Sequence, residues 1–96
     1  MLSIPPDQLQ LFCRTHSIRR LSLFGSRMAG NARYDSDVDL LVEFEPGSEP
    51  TLMGMSRMQD ELSAMLGLQV DLRTPGDLSR YFRQEVMNAA QVQYAA

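Results

Sequence analysis

The chain has 96 residues, of which 44% are hydrophobic and 22% charged, and a formal net charge of −3. This length suits one domain, residues 1–96, and the composition excludes wholesale disorder, while the acidic balance disfavours non-specific binding to nucleic acid. No apolar stretch approaches about 18 residues and there is one cysteine, so we expect a soluble, cytoplasmic protein without a membrane span.

The first half of the chain is predicted to form a helix and two strands. Prolines and an acid at residues 5–7, followed by apolar residues at helical spacing, predict an amphipathic helix. The apolar run at residues 18–24 predicts the first strand. A glycine and a serine open a short turn or helix over residues 25–30, and residues 37–44 are expected to form the second strand.

The second half is predicted to continue with helix, strand and helix. Apolar residues at helical spacing indicate a helix over residues 51–66, and alternation predicts a third strand over residues 69–73. After a turn, a last helix is expected to begin at Asp77, with an apolar face made of Leu78, Phe82, Val86 and Ala89. The predicted fold is therefore a small α/β (α+β) domain with a mixed sheet of three or four strands flanked by helices.

Two acids lie at the start of the second predicted strand. Alternate side chains of a strand share a face, so Asp37 and Asp39 point the same way, about 6–7 Å apart along the chain. Acids in such an apolar strand are costly unless a cation or a proton meets them, and this spacing suits one hard cation. Ten residues separate Asp37 from Gly25-Ser26, which can form a tight turn whose N–H groups meet phosphate. Metal beside phosphate indicates phosphoryl or nucleotidyl transfer.

Asp71 is a third acid within a predicted strand, between Val70 and Leu72. If this strand lies beside the second, the carboxylate of Asp71 can join those of Asp37 and Asp39. Three carboxylates can hold two metal ions, which stabilise the entering and departing oxygens of an in-line displacement. The alternative is that Asp71 is a surface acid on a short edge strand.

Several segments of the chain match one family pattern. They are Leu23-Phe24-Gly25-Ser26-Arg27, Gly30, Asp35-Ser36-Asp37-Val38-Asp39-Leu40-Leu41-Val42 and Gln69-Val70-Asp71-Leu72-Arg73-Thr74-Pro75. The chain resembles, over nearly its whole length, the minimal nucleotidyltransferase family of the DNA polymerase beta superfamily. The resemblance implies the nucleotidyltransferase fold, Mg²⁺ held by Asp37 and Asp39 with Asp71 as the third acid, and a nucleoside triphosphate held by Gly25 and Ser26. Many such proteins are antitoxins encoded beside a HEPN-type RNase toxin, and some transfer AMP from ATP to a toxin tyrosine.

One position departs from the family pattern. Relatives commonly have Gly-Ser-Arg-Ala-Arg-Gly, whereas this chain has Ala29 in place of the second arginine. If that arginine contacts phosphate, its loss removes a charge-assisted hydrogen bond worth roughly 1.5–3 kcal/mol. All nine basic residues are arginines, so the phosphate ligands expected here are Arg27 and, as a stand-in for the missing residue, Arg33.

The sequence therefore predicts a nucleotidyltransferase that uses Mg²⁺, with two ions expected, and ATP as the substrate. The resemblance implies that its acceptor is a hydroxyl, a tyrosine by preference, of a HEPN-type toxin. Two alternatives stay open: an antitoxin that neutralises its partner by contact alone, and a nucleotidyltransferase for small molecules. Against the latter, 96 residues leave no second domain to enclose a drug-sized acceptor. Homo- and hetero-oligomers are both compatible with the sequence.

Overall fold

A computed structural model describes residues 5–24 and 38–96. In chain order the elements are α1 (Pro6–Thr15), β1 (Ile18–Phe24), β2 (Val38–Phe44), α2 (Leu52–Leu66), β3 (Val70–Arg73), a short 3₁₀ helix (Pro75–Asp77), α3 (Arg83–Ala89) and β4 (Gln91–Ala95). The predicted α/β class is confirmed. The predicted turn or helix at residues 25–30 lies outside the described residues, as does Asp37. No helix in the described part of the chain is long and apolar enough to cross a membrane.

The four strands form one mixed sheet in the order β3-β2-β1-β4. β1 runs antiparallel to both β2 and β4, whereas β2 and β3 are parallel. A register shift between Ile18 and Arg20 leaves Arg19 as an extra residue at the start of β1. The parallel pair requires a crossover connection, which α2 provides.

One face of the sheet, called here the inner face, carries the main core. Its buried strand residues are Ile18, Leu21, Leu23, Val38, Leu40, Val42, Val70 and Leu72. α1 contacts β1 and β4 and α2 contacts β3, and together the two helices add Leu9, Phe12, Cys13, Met58 and Leu62 to the same cluster. Period-2 alternation in the strands and helical spacing in α1 and α2 explain why these residues meet.

α2 begins and ends at residues suited to those positions. The hydroxyl of Thr51 accepts a hydrogen bond of 3.1 Å from the backbone N–H of Gly54, which satisfies one free donor of the first turn. Gly67 follows the last turn with φ 66°, a left-handed conformation that favours glycine. The predicted helix over residues 51–66 is confirmed to within one residue at its start.

The prediction for the last twenty residues is wrong in two respects. No continuous helix begins at Asp77: a 3₁₀ helix ends there, Leu78 is extended, and α3 begins only at Arg83. Of the four residues expected on the apolar face only Leu78 is buried, whereas Phe82 is 47% exposed and Ala89 is exposed too. The chain then forms β4, a fourth strand that was not located in the sequence, because pairing with β1 outweighs the weak local preference of Gln91–Ala95.

Candidate active site

The opposite face of the sheet, the outer face, carries the two described acids of the predicted site. Asp39 in β2 and Asp71 in β3 are register partners across the parallel pair, between the buried pairs Val38–Val70 and Leu40–Leu72. Register partners on neighbouring strands lie about 5 Å apart and point to the same face. The two carboxylates are therefore neighbours on the outer face.

The backbone on both sides of Asp71 is fixed by side chains of α2. The N–H of Val70 donates to the Oγ of Ser63 at 3.0 Å, and the N–H of Leu72 donates to the Oε1 of Gln59 at 3.0 Å. These bonds satisfy donors at an edge of the sheet that no other strand of the described residues meets. Asp71 is thus held in register with Asp39 although β3 has only four residues.

Arg73 lies two residues after Asp71 on the same face of β3. Its Nε and Nη2 both donate to the Oδ2 of Asp71, at 3.1 and 3.0 Å. The side chain of Asp71 is 33% exposed and that of Arg73 is 47% exposed, so this ion pair is partly screened by water. In this structure a guanidinium is therefore the cation beside Asp71.

A second ion pair lies on the outer face, between β1 and β2. Arg20 donates through Nε and Nη2 to the two carboxylate oxygens of Glu43, its register partner, with the Nη2 bond at 2.9 Å. The hydrogen bond and the charge of Glu43 raise the pKa of Arg20 above its ordinary value. This pair cross-links β1 and β2 toward the end of β2 that lies away from Asp39.

The donor set of the two acids fits a hard divalent cation. Mg²⁺ prefers oxygen ligands and is commonly bound by one or two carboxylates together with substrate phosphates. Asp39 and Asp71 supply two neighbouring carboxylates. Residues 5–24 and 38–96 contain no cluster of three or more acids, histidines or cysteines suited to a metal, and the expected third ligand, Asp37, lies outside these ranges.

The other predicted site residues also fall outside the described part of the chain: Gly25, Ser26, Arg27 and Arg33, together with the departure from the family pattern at Ala29. Their attachment points are nonetheless informative. Phe24, the last residue described before them, is the register partner of Asp39, and Val38, the first described after them, precedes Asp39 in β2. The predicted phosphate-binding segment is therefore joined to the sheet directly beside Asp39.

Two cavities lined by described residues lie away from the acid pair. One, of about 290 Å³, is lined by residues of α1 and α2, among them Phe12 and Glu61, and by His16, which follows α1. The other, of about 350 Å³, lies beyond the end of β3, between Phe44 and Pro75. Neither is lined by Asp39 or Asp71, so these cavities do not form the candidate site.

Sequence reasoning missed three residues that shape the site. For Arg73 a signal exists, because the alternation of side chains along β3 places Arg73 on the same face as Asp71. Gln59 and Ser63 carried no such signal, because a helix residue that binds a strand edge is identified only once the two elements are packed together.

Comparisons with known proteins identify the family. Residues 7–92 match the model of the nucleotidyltransferase domain. The protein adenylyltransferase MntA of Thermococcus cleftensis is 46% identical over 55 residues, which are 57% of this chain and 54% of that protein. A protein of Methanocaldococcus jannaschii assigned as a protein adenylyltransferase is 33% identical over 78% of each chain. This chain thus spans about half the length of the first relative and 78% of the length of the second.

Solved structures share the fold. One described as a minimal nucleotidyltransferase superposes with a TM-score of 0.73 and 36% identity, over 88% of this chain and 85% of that one. A toxin–antitoxin complex with AMP-PNP gives a TM-score of 0.76 at 19% identity, over 97% of this chain and 75% of that one. An antitoxin complex of Shewanella oneidensis gives 0.67 at 17% identity, over 95% and 70%. The chain belongs to the nucleotidyltransferase domain family and, within it, to the minimal nucleotidyltransferases.

Proposed function

We propose that this protein is a Mg²⁺-dependent protein adenylyltransferase that transfers AMP from ATP to a tyrosine hydroxyl of a HEPN-type toxin, and so acts as its antitoxin. The observation that carries the proposal is the register pairing of Asp39 with Asp71 on the outer face of the sheet. Neighbouring carboxylates repel one another, and such pairs are characteristic of sites that bind a cation or carry out a reaction.

The relatives support the choice of reaction and partner. Two proteins similar in sequence are named protein adenylyltransferases. Among proteins of the same fold, one is a toxin–antitoxin complex with AMP-PNP, and another is a tri-AMPylated HEPN toxin in complex with an MNT antitoxin. Two further complexes of this kind carry substitutions, one of two aspartates two positions apart and one of a tyrosine. The aspartate spacing equals that of Asp37 and Asp39 here.

We assign the residues of this chain the following roles. Asp37, Asp39 and Asp71 would hold Mg²⁺, which supplies charge stabilisation for phosphoryl transfer and lowers the pKa of the acceptor hydroxyl. Asp71 would also accept the proton of that hydroxyl, a role that its position in an edge strand and its partial exposure support. Gly25, Ser26, Arg27 and Arg33 would bind the triphosphate, because their segment is joined to the sheet beside Asp39.

We expect the acceptor to come from outside this chain. Asp71 lies in an edge strand and is partly exposed, and neither cavity described above contains the acids. An open site of this kind suits a protein acceptor better than a small molecule, which binds in an enclosing pocket.

The test is transfer of AMP to the toxin encoded beside this protein, read by intact mass after incubation with ATP and Mg²⁺. We expect a mass gain of one or more adenylyl groups on the toxin. Asp39→Asn should lower the rate by about 100-fold or more while the protein stays folded, because it removes a charge from the acid pair and no buried apolar contact. Asp60→Asn, an exposed acid of α2, is the matched control and should leave the rate unchanged.

Three outcomes would contradict the proposal. Full activity of Asp39→Asn would remove the acid pair from the active site. Silencing of the toxin without a mass change, by both the wild type and Asp39→Asn, would establish neutralisation by contact alone. Transfer to a small hydroxyl compound but not to the toxin would favour the small-molecule alternative.

A further inference from the structure

Arg73 is the residue of the candidate site that the proposed roles do not use. It faces Asp71 on the outer face, and both of its hydrogen bonds go to a single oxygen, Oδ2. Its own register partner is Leu41, which has no charge for it to bind. The guanidinium is therefore directed along β3 toward the acid pair rather than across the sheet.

This placement matters for the charge of the site. Asp39 and Asp71 would repel one another in the absence of a cation, and Arg73 offsets part of that repulsion. The same positive charge, 3.0 Å from a carboxylate oxygen, opposes the approach of a second cation to that carboxylate. A divalent ion arriving alone must therefore compete with Arg73.

The competition between Arg73 and the metal ion changes when the ion arrives bound to phosphate. Arginine has five N–H donors, and Asp71 takes two of those of Arg73, so three are left for a further acceptor. The side chain is 47% exposed and can turn toward a ligand. Oxygen ligands of one octahedral Mg²⁺ lie about 3 Å from one another, so a phosphate on a metal held by Asp71 comes within a small side-chain movement of the guanidinium.

We propose that Arg73 makes the acid pair bind its metal together with a nucleotide rather than alone. In the absence of nucleotide Arg73 occupies Asp71 and lowers its affinity for free Mg²⁺. When Mg²⁺ arrives with a triphosphate, the guanidinium exchanges the carboxylate oxygen for a phosphate oxygen, a charge-assisted contact. Arg73 would thereby supply a phosphate contact of the kind that Ala29 lacks. This inference rests on the proposed function, since it takes the acid pair to be the site of the metal and the nucleotide.

The test is a pair of titrations by calorimetry on the wild type and on Arg73→Ala. One uses MgCl₂ alone, and the other uses α,β-methylene-ATP with Mg²⁺, whose α–β bond is not cleaved. In Arg73→Ala we expect the affinity for Mg²⁺ alone to rise about threefold or more, because the competing charge is gone. The affinity for the Mg²⁺–nucleotide complex should fall about tenfold, the loss of one charge-assisted hydrogen bond.

The opposite signs of the two changes separate this role from a merely structural one. Arg73→Lys keeps the positive charge but lacks the planar guanidinium with its paired donors. Compared with Arg73→Ala, it should therefore restore the low affinity for free Mg²⁺ and only part of the affinity for the nucleotide. Arg57→Ala removes an equal charge from the exposed side of α2 and should change neither affinity. Thermal melts of each variant check that the protein remains folded.

The contrary results are distinct. If both affinities fall, or neither changes, Arg73 does not couple metal to nucleotide, and the proposed function stands without it. If the wild type does not bind the Mg²⁺–nucleotide complex at all, both the coupling and the proposed adenylyltransferase activity are wrong.

Discussion

The two faces of the sheet are made by the same strands but differ in what their residues do. On the inner face, Val38, Leu40, Val70 and Leu72 are buried against α1 and α2 in one apolar cluster. On the outer face, Asp39 and Asp71 lie between these residues, and the ion pairs Arg20–Glu43 and Arg73–Asp71 lie on the same face, beside the buried Ser22 and Leu41. The inner face supplies burial, which stabilises the fold, and the outer face supplies charge, which suits ligand binding. Adjacent residues of one strand therefore have different functions because their side chains point to opposite faces of the sheet.

The largest effect is expected from moving a charge to the inner face. Leu40→Asp places a carboxylate in the apolar cluster, next to the position where Asp39 is tolerated. Burial of an unpaired charge should lower the free energy of unfolding by about 4 kcal/mol or more, enough to unfold a small domain. Circular dichroism during thermal unfolding measures this loss of stability.

The control for this substitution is Leu52→Asp, the same chemical change at a position that is 90% exposed at the start of α2. Its stability should stay within about 0.5 kcal/mol of the wild type. Equal effects at the two positions would mean that the faces of β2 are assigned the wrong way round.

A smaller effect is expected from removing a charge on the outer face. Arg20→Ala leaves the carboxylate of Glu43, whose side chain is 15% exposed, without its described partner. Because Arg20 is itself 41% exposed, water replaces part of the interaction, and we expect a loss of about 1–2 kcal/mol in chemical denaturation. Arg19→Ala, at the exposed extra residue next to it, should cost less than about 0.5 kcal/mol. If Arg19 proved the more costly of the two, the ion pair would not stabilise the sheet.

The smallest effect at neutral pH concerns a thiol on the inner side, because this effect appears only at high pH. Burial raises the pKa of Cys13 from 9.0 to about 12. The unfolded thiol ionises above pH 9 while the folded one stays protonated, so stability is complete below pH 9 and falls between pH 9 and about 12. The loss should be on the order of 1 kcal/mol per pH unit above 9.

Cys13→Ala is the reference for this measurement, because it lacks the thiol and keeps every other titrating group. The difference in unfolding free energy between the two proteins should narrow from pH 9 to pH 10.5 as the wild type loses stability. A difference that is constant with pH would mean that Cys13 is accessible to water in the folded state.

The sequence predicted the elements whose period is strong and local. β1, β2 and α2 follow from apolar alternation or helical spacing, and the structure gives them nearly the predicted bounds. The last twenty residues were mispredicted because Leu78, Phe82, Val86 and Ala89 have helical spacing, although Thr74–Asp77 closes a separate turn and Gln91–Ala95 is recruited by β1. A strand stabilised by pairing with distant residues leaves a weak local signal.

The sequence by itself determined which residues can share a face. Alternation in β2 and β3 directs Asp39 and Asp71 away from the apolar side chains next to them, whatever the rest of the chain does. Only the tertiary structure decided that β3 lies beside β2 in parallel and in the register that makes these acids neighbours. It also decided that Gln59 and Ser63 hold the edge of β3, and that Arg73 binds Asp71. The physical reason is that side-chain direction is a local property of the backbone, whereas register and contacts depend on packing between segments distant in the chain.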